Sequence, residues 1–302
     1  MIELKNVVKR FDGSTATDGV NLVIERGSVL GIAGSNGAGK STLMRLINGI
    51  YKQDKGEITA DGEPVWENPS VKARFAFVPD EPFFESGVNI KSLIKTYKLL
   101  YPSFDGEKCL SFAADFELDI KKPVSSFSKG MKRQTSLILA LCRQPDYYFF
   151  DETFDGLDPV MRRRFKNLIN EDVLSRGAAA VLTSHSLREF EEVCDRLAII
   201  HKGKIVFEST VDEIKSSVLK AQTAYNGITD ESIFGSLEIL DLKKNGAVYD
   251  LIIKGDREEI TSYLKRTEPV LLDISPLSLE EFFIYKLGSL GYGDHTAEGD
   301  AK

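Results

Sequence analysis

Cysteine is scarce in this chain, basic residues are outnumbered by acidic ones, and no stretch approaches the roughly 20 apolar residues a membrane-spanning helix needs. Each shortage excludes something. Cys109, Cys142 and Cys194 are odd in number, far apart and without C-x-x-C spacing, so neither a disulfide framework nor a zinc site is expected. A formal net charge of −7 argues against a nucleic-acid partner, which would call for a basic excess. The opening residues Met1-Ile2-Glu3-Leu4-Lys5 lack the apolar core of a signal peptide, so a cytosolic protein is expected, one that reaches a membrane only through a partner. There is no internal repeat and no low-complexity tract.

What remains is an ordinary globular composition, 42% hydrophobic and 28% charged, over 302 residues, enough for a main domain and a smaller companion. The chain is organised around Gly34-Ser35-Asn36-Gly37-Ala38-Gly39-Lys40-Ser41-Thr42, set between the apolar runs Val29 to Ala33 and Leu43 to Ile47. This reads as strand, phosphate loop, helix. The pattern G-x-x-x-x-G-K-[ST] needs glycines so that the backbone can aim successive N–H groups at the α- and β-phosphates of a nucleotide. The positive end of the following helix favours an anion, Lys40 would reach the β- and γ-phosphates, and the Ser41 hydroxyl would sit on Mg²⁺.

Along the rest of the chain, alternation predicts strands over Met1 to Val8 and Val20 to Ile24, with Phe11 at the end of the first. Gly56 to Gly62 reads as a short strand running into a turn. From Ile90 to about Arg143 the period changes to that of helices (Leu93, Ile94, Tyr97; Leu137, Ile138, Leu141), which predicts a helical insert within an α/β domain. Tyr147-Tyr148-Phe149-Phe150-Asp151-Glu152 is a buried strand ending in two carboxylates, and burial explains the aromatics but not the acids. Asp158-Pro159 opens a helix through Ile169, Ala180 to Thr183 is another buried strand, and Ser186-Leu187-Arg188-Glu189 is a capping box. His185 falls between that strand and that helix. After about Asp212, a hairpin across Lys244-Asn245-Gly246, two helices and a further strand predict a small α+β domain over 213–288, followed by a disordered tail over 289–302.

Lys40, Asp151 and His185 all fall where strands end, which is where an open parallel sheet collects its ligand contacts. Further pieces then match one family. Ser126-Phe127-Ser128-Lys129-Gly130-Met131-Lys132-Arg133-Gln134 resembles the signature segment of ATP-binding cassette (ABC) ATPases, the Tyr147 to Glu152 strand their Walker B, Phe154-Asp155-Gly156-Leu157-Asp158 their D-loop, and Thr183-Ser184-His185 their switch histidine. Order and spacing agree along residues 1 to about 212.

The resemblance implies a P-loop NTPase cassette over residues 1–212 with a helical insert over about 90–143, ATP and Mg²⁺ as its ligands, and a role for each matching residue. Phe11 would stack on adenine, Ser35 to Thr42 would hold the phosphates, and Asp151 and Ser41 would hold Mg²⁺. Glu152 would be the general base, and His185 would bond the γ-phosphate. Ser128, Lys129, Gly130 and Met131 would act on the ATP of a second copy, which implies a homodimer, with Asp158 helping to couple the two sites. The sequence departs from the family at four points: Asp80 stands at the Q-loop position, where it could still approach Mg²⁺, Lys129 and Met131 replace a glycine and a glutamine, and Thr153 replaces a proline.

Several of these departures, with Ser278 to Phe283, resemble exporter cassettes that pair with a separate six-helix membrane permease, including those handling antimicrobial peptides. The implied protein is the peripheral ATPase subunit of such an exporter, at the inner face of the cell membrane, with the permease docking near Phe83, Phe84 and Glu85 and the C-terminal domain serving dimer contact or regulation. Two alternatives stand beside it. One is a soluble ABC mechanoenzyme acting on ribosomes or DNA; the tandem cassettes, coiled coils and zinc modules such proteins tend to carry are missing. The other is a non-hydrolysing ATP-dependent clamp, suggested by Asp80 and opposed by Glu152 and His185.

Overall fold

The structure, a computed structural model, describes residues 1–154, 156–184, 187–226 and 230–289. The chain forms two compact units, Met1–His185 with Val193–Glu208, and Ser186–Glu192 with Ser209–Lys302.

In chain order the first unit carries β1 (Ile2–Phe11), β2 (Ser14–Ile24), β3 (Val29–Ala33), α1 (Lys40–Ile47), β4 (Lys55–Ala60), the two-residue β5 (Glu63–Pro64), the single turn α2 (Pro69–Lys72) and β6 (Phe75–Val78). The helical segment follows as α3 (Ile90–Leu100), α4 (Gly106–Asp115) and α5 (Lys129–Cys142). Then come β7 (Tyr147–Asp151), α6 (Pro159–Arg176) and β8 (Ala179–Ser184) and, after a short helix α7 (Arg188–Glu191) that belongs to the second unit, β9 (Arg196–His201) and β10 (Lys204–Thr210).

Six strands form one sheet in the order β10-β9-β3-β8-β7-β6. Every residue of β3, β7 and β8 is buried, as a parallel sheet covered on both faces requires. The parallel register sets Val78 beside Phe150, Asp151 beside Thr183, and Ser184 beside Ala33. Four carboxyl ends therefore stop at one level. The second sheet, β2-β1-β4-β5, is antiparallel. Leu43, Met44, Leu46 and Ile47 of α1 share one core with Ile2, Leu4, Leu22 and Ile24 of this sheet and with Tyr147 and Phe149 of the other, so the helix that starts at Lys40 is packed between both sheets.

The helices begin where side chains can satisfy their free N–H groups. Asn89 and Ser92 make a reciprocal capping box on α3, and Asp105 caps α4. Asp158 accepts from the N–H groups of Val160 and Met161 ahead of Pro159. Helix α6 runs past Ile169 to Arg176, where Gly177, at φ 64°, supplies the left-handed cap. At the start of α7, Leu187 makes no side-chain cap bond, and Ser186, on which the expected capping box rests, lies outside the described residues.

The second unit adds α8 (Val211–Ser217), β11 (Val218–Ala224), β12 (Glu238–Asn245), β13 (Val248–Lys254), α9 (Arg257–Arg266), β14 (Leu271–Pro276) and α10 (Leu279–Gly288). Its antiparallel sheet runs β12-β13-β11-β14, over a core of its own that includes Phe234, Tyr249, Leu251, Ile260 and Leu264. Asn245 pairs with Val248 around Gly246, at φ 64°, as a two-residue hairpin demands. Strand β11 carries a centre of this sheet yet escaped the sequence reading, because Lys220, Ala221 and Gln222 give it little strand character.

Within the first unit, Phe116 of the helical segment stacks on the fully buried Phe165 of α6, with ring centroids 4.5 Å apart and planes at 10°. Phe165→Ala is expected to cost about 3–5 kcal/mol, a cavity-forming loss, read from the urea midpoint; a loss below about 1 kcal/mol would show that this contact does not hold the segment in place.

Candidate nucleotide and metal site

The phosphate loop is shaped by what surrounds it. A Cβ on Gly34 would stand 2.6 Å from the carbonyl oxygen of Ile200, and one on Gly39, at φ 110°, would stand 2.4 Å from that of Ala16. Only glycine fits either place. The loop is held from the same side, since the Gly203 N–H donates to the Ala38 carbonyl at 2.9 Å. Ala16 lies in the β1–β2 hairpin whose tip pairs Phe11 with Ser14, so the hairpin brings Phe11 toward the loop. There the Phe11 ring, 39% exposed, stands edge-on to Tyr51 at 5.3 Å, with Lys9 Nζ 5.2 Å from its centroid.

Lys40 is buried, and its Nζ donates to the carbonyls of Gly34 at 2.9 Å and Ser35 at 3.3 Å and pairs with Glu152 Oε1 at 3.3 Å. Glu152 itself has left-handed backbone, φ 46°, a conformation that costs a non-glycine residue about 1 kcal/mol or more. It is held there by Thr183, whose hydroxyl accepts from the Glu152 N–H at 3.0 Å and whose carbonyl accepts from it at 3.1 Å. The same hydroxyl donates to Asp151 Oδ1 at 2.7 Å, and Ser41 Oγ donates to that oxygen at 3.2 Å. One threonine thus fixes both acids. The sequence offers Thr183 as part of a strand end and of the segment leading to His185; its hold on the two acids comes from the register that sets it beside Asp151.

Asp151 Oδ2 is buried with no hydrogen-bond partner among the described residues. Burial pushes the Asp151 carboxyl above its ordinary range; the bonds from Thr183 and Ser41 oppose this, and the nearby negative charges of Asp80 and Glu152 add to it. A buried, unpartnered carboxylate oxygen beside a serine hydroxyl and a second acid fits a divalent cation. Among the described residues, no three His, Cys, Asp or Glu side chains form a cage by themselves. The oxygen donors of Asp151 and Ser41 suit Mg²⁺, which takes one or two carboxylates and completes its shell from water and phosphate oxygens.

Thr153, where the family has proline, is buried and donates to the carbonyl of Val78 at 3.0 Å, tying the end of β7 to the strand that leads to Asp80. The Asp80 carbonyl in turn accepts two bonds from Arg133 of α5, from Nη2 at 3.0 Å and Nε at 3.3 Å. Ser128 opens α5, its Oγ accepting from the Met131 N–H at 3.2 Å, and Ser128 and Lys129 are exposed. The bonds and ion pair of Lys40 all lie on the P-loop side; residues 128–131 supply none of them. His185 and Asp155 lie outside the described residues.

A glycine-rich loop between a buried parallel strand and a buried helix, beside a strand ending in Asp151 and Glu152, defines a P-loop nucleoside-triphosphatase. A family model described as ABC transporter matches residues 17–155. The ABC transporter ATP-binding protein YtrB of Bacillus subtilis (strain 168) is 32% identical over 289 residues, 95% of this chain and 98% of that protein. The bacitracin transport ATP-binding protein BcrA of Bacillus licheniformis is 28% identical over 219 residues, 71% of each chain. The solved structure of an ATP-binding subunit of an ABC transporter matches with TM-score 0.67 at 26% identity, covering 71% of this chain and 92% of that one. This chain belongs to the ABC transporter family, as one of its ATP-binding ATPases. Among the described residues no helix is long and apolar enough to cross a membrane.

A folded-state carboxyl held above its unfolded value binds its proton more tightly in the folded chain, so stability falls as pH rises between the ordinary value of 3.8 and the raised one, and stays lower above it. Asp151→Asn is therefore expected to raise the Tm of the metal-free protein at pH 7 in EDTA; an unchanged or lowered Tm would contradict this reading of the site.

Proposed function

We propose that this ATPase dimerises on ATP, as a homodimer with two composite sites, and drives a separate polytopic membrane permease that exports drugs or antimicrobial peptides. The observation that carries the dimer is Gly130. Among the described residues a Cβ there would meet nothing nearer than 3.8 Å, and alanine is the better helix former, so the packing of the described residues does not call for glycine. A glycine at the exposed start of α5, beside a serine, suits close approach of a phosphate supplied by another copy. The family supports the permease, and likeness to a bacitracin transport protein supports the export of amphipathic peptides. Phe83, 86% exposed, is a candidate for permease contact rather than internal packing. The second unit, with a separate core, is assigned to dimer contact or regulation.

In this reading Ser35 to Thr42 hold the nucleotide phosphates, Phe11 takes the adenine face, and Ser41 and Asp151, with Asp80 on the same side, hold Mg²⁺, which would neutralise phosphate charge when bound. Glu152 takes a proton from the attacking water and His185 orients it. Lys40, paired with Glu152 in this structure, exchanges that partner for phosphate oxygens, which frees the carboxylate for its role. Asp158 couples the two sites across the interface. Most of the catalysis is positioning and electrostatics.

Glu152→Gln is expected to lower ATP turnover by about 10²–10⁴-fold, the usual contribution of a general base, while nucleotide binding persists and ATP-dependent dimers accumulate in light scattering. Turnover equal to that of the wild type would remove Glu152 from the role. A wild type no faster than the variant, with its permease present, would favour an ATP-dependent clamp.

A further inference from the structure

Arg133 joins parts of the first unit that the family's motifs treat separately. It stands in the second turn of α5, the helix that Ser128 opens. Its Nε and Nη2 both donate to the main-chain carbonyl of Asp80, at 3.3 and 3.0 Å, a two-point grip that fixes direction as well as distance. Its third nitrogen, Nη1, lies 2.6 Å from where a Cβ on Gly156 would be, so the guanidinium also lies over the D-loop backbone, and the Gly156 carbonyl is 3.8 Å from a Cβ built on Gly130. The carbonyl it grips belongs to Asp80, two residues beyond Val78, which the sheet register sets beside Phe150, the residue before Asp151. Lysine, a single point charge, could not grip one carbonyl through two nitrogens.

We propose that Arg133 is a positioning residue that sets the main chain of Asp80, and through it the carboxylate that supports the divalent cation at Asp151. Because the same side chain stands on the helix that presents Ser128 and Gly130, a shift of that helix moves Asp80 with it. This rests on the reading of Asp80 as a group on the metal side.

The test is equilibrium binding of Mn²⁺, followed by the EPR signal of the free ion, to the full chain saturated with a non-hydrolysable ATP analogue. It compares wild type, Arg133→Met, Asp80→Asn and the double variant. Arg133→Met is expected to weaken Mn²⁺ binding on the order of tenfold, the usual cost of losing a group that orients a metal's support. Asp80→Asn should do the same, and the double variant should be no weaker than Asp80→Asn alone, because both changes remove one arrangement. Analogue binding in EDTA should not change, and Arg133→Lys, which keeps a donor, should fall between wild type and Arg133→Met.

Multiplying losses in the double variant would overturn the proposal, as would Mn²⁺ affinity unaffected by Arg133→Met. If Asp80→Asn alone weakens the metal while Arg133→Met does not, Arg133 is excluded and the reading of Asp80 survives. If neither does, both fall. Should Arg133→Met fold poorly, the same comparison made with Arg133→Lys decides between these outcomes.

Discussion

Everything at this site depends on parallel pairing in register. Hydrogen bonding between β6, β7, β8 and β3 places Val78, Asp151, Thr183 and Ala33 at one edge of the sheet, and each strand is followed there by the residue that matters: Asp80, Glu152, the segment toward His185, and the phosphate loop. A slip of one residue in β7 would turn Asp151 to the other face and take it from Thr183. The fully buried aromatics of β7 resist such a slip, since each fills its place in a close-packed core. Packing energy is in this sense what holds two like charges side by side.

The site that results is set against itself until ligands arrive. Asp151 is buried, has no partner among the described residues for one oxygen and lies in the field of two other acids, and Glu152 occupies a strained backbone position. Each costs stability, and each is what a cation and a polarised water require. Lys40 offsets part of the acid excess through Glu152. In the function proposed above, a divalent cation and a polyphosphate bound here would relieve the remainder.

Much of this was legible in the sequence because the chemistry needs particular residue types at fixed spacing. Gly34 to Thr42 and Asp151-Glu152 are recognisable before any fold is known, and aromatic or β-branched runs disclosed the buried strands. The helical segment was visible from Leu93, Ile94 and Tyr97, although α4 within it was not, since Gly106 to Asp115 carries a weaker pattern. What stayed hidden depends on contacts between distant residues. Thr183 is an ordinary strand residue until the register places it on Asp151; Ala16 and Ile200 explain two glycines only once the strands are assembled; Arg133 is one more cation on a basic helix until its grip on Asp80 is seen. Strand β11 was missed for a local reason, because small and polar residues at a sheet's centre look like a loop.

In the proposed function, Gly34 to Thr42 forms one half of a site completed by Ser128 and Gly130 of another copy. The most direct measurement is the structure of the Glu152→Gln chain bound to Mg²⁺ and ATP. A two-fold dimer is expected, in which the γ-phosphate is held by Lys40 of one protomer and by the Ser128 hydroxyl and Gly130 N–H of its partner. An ATP whose phosphate contacts all come from a single chain would contradict it.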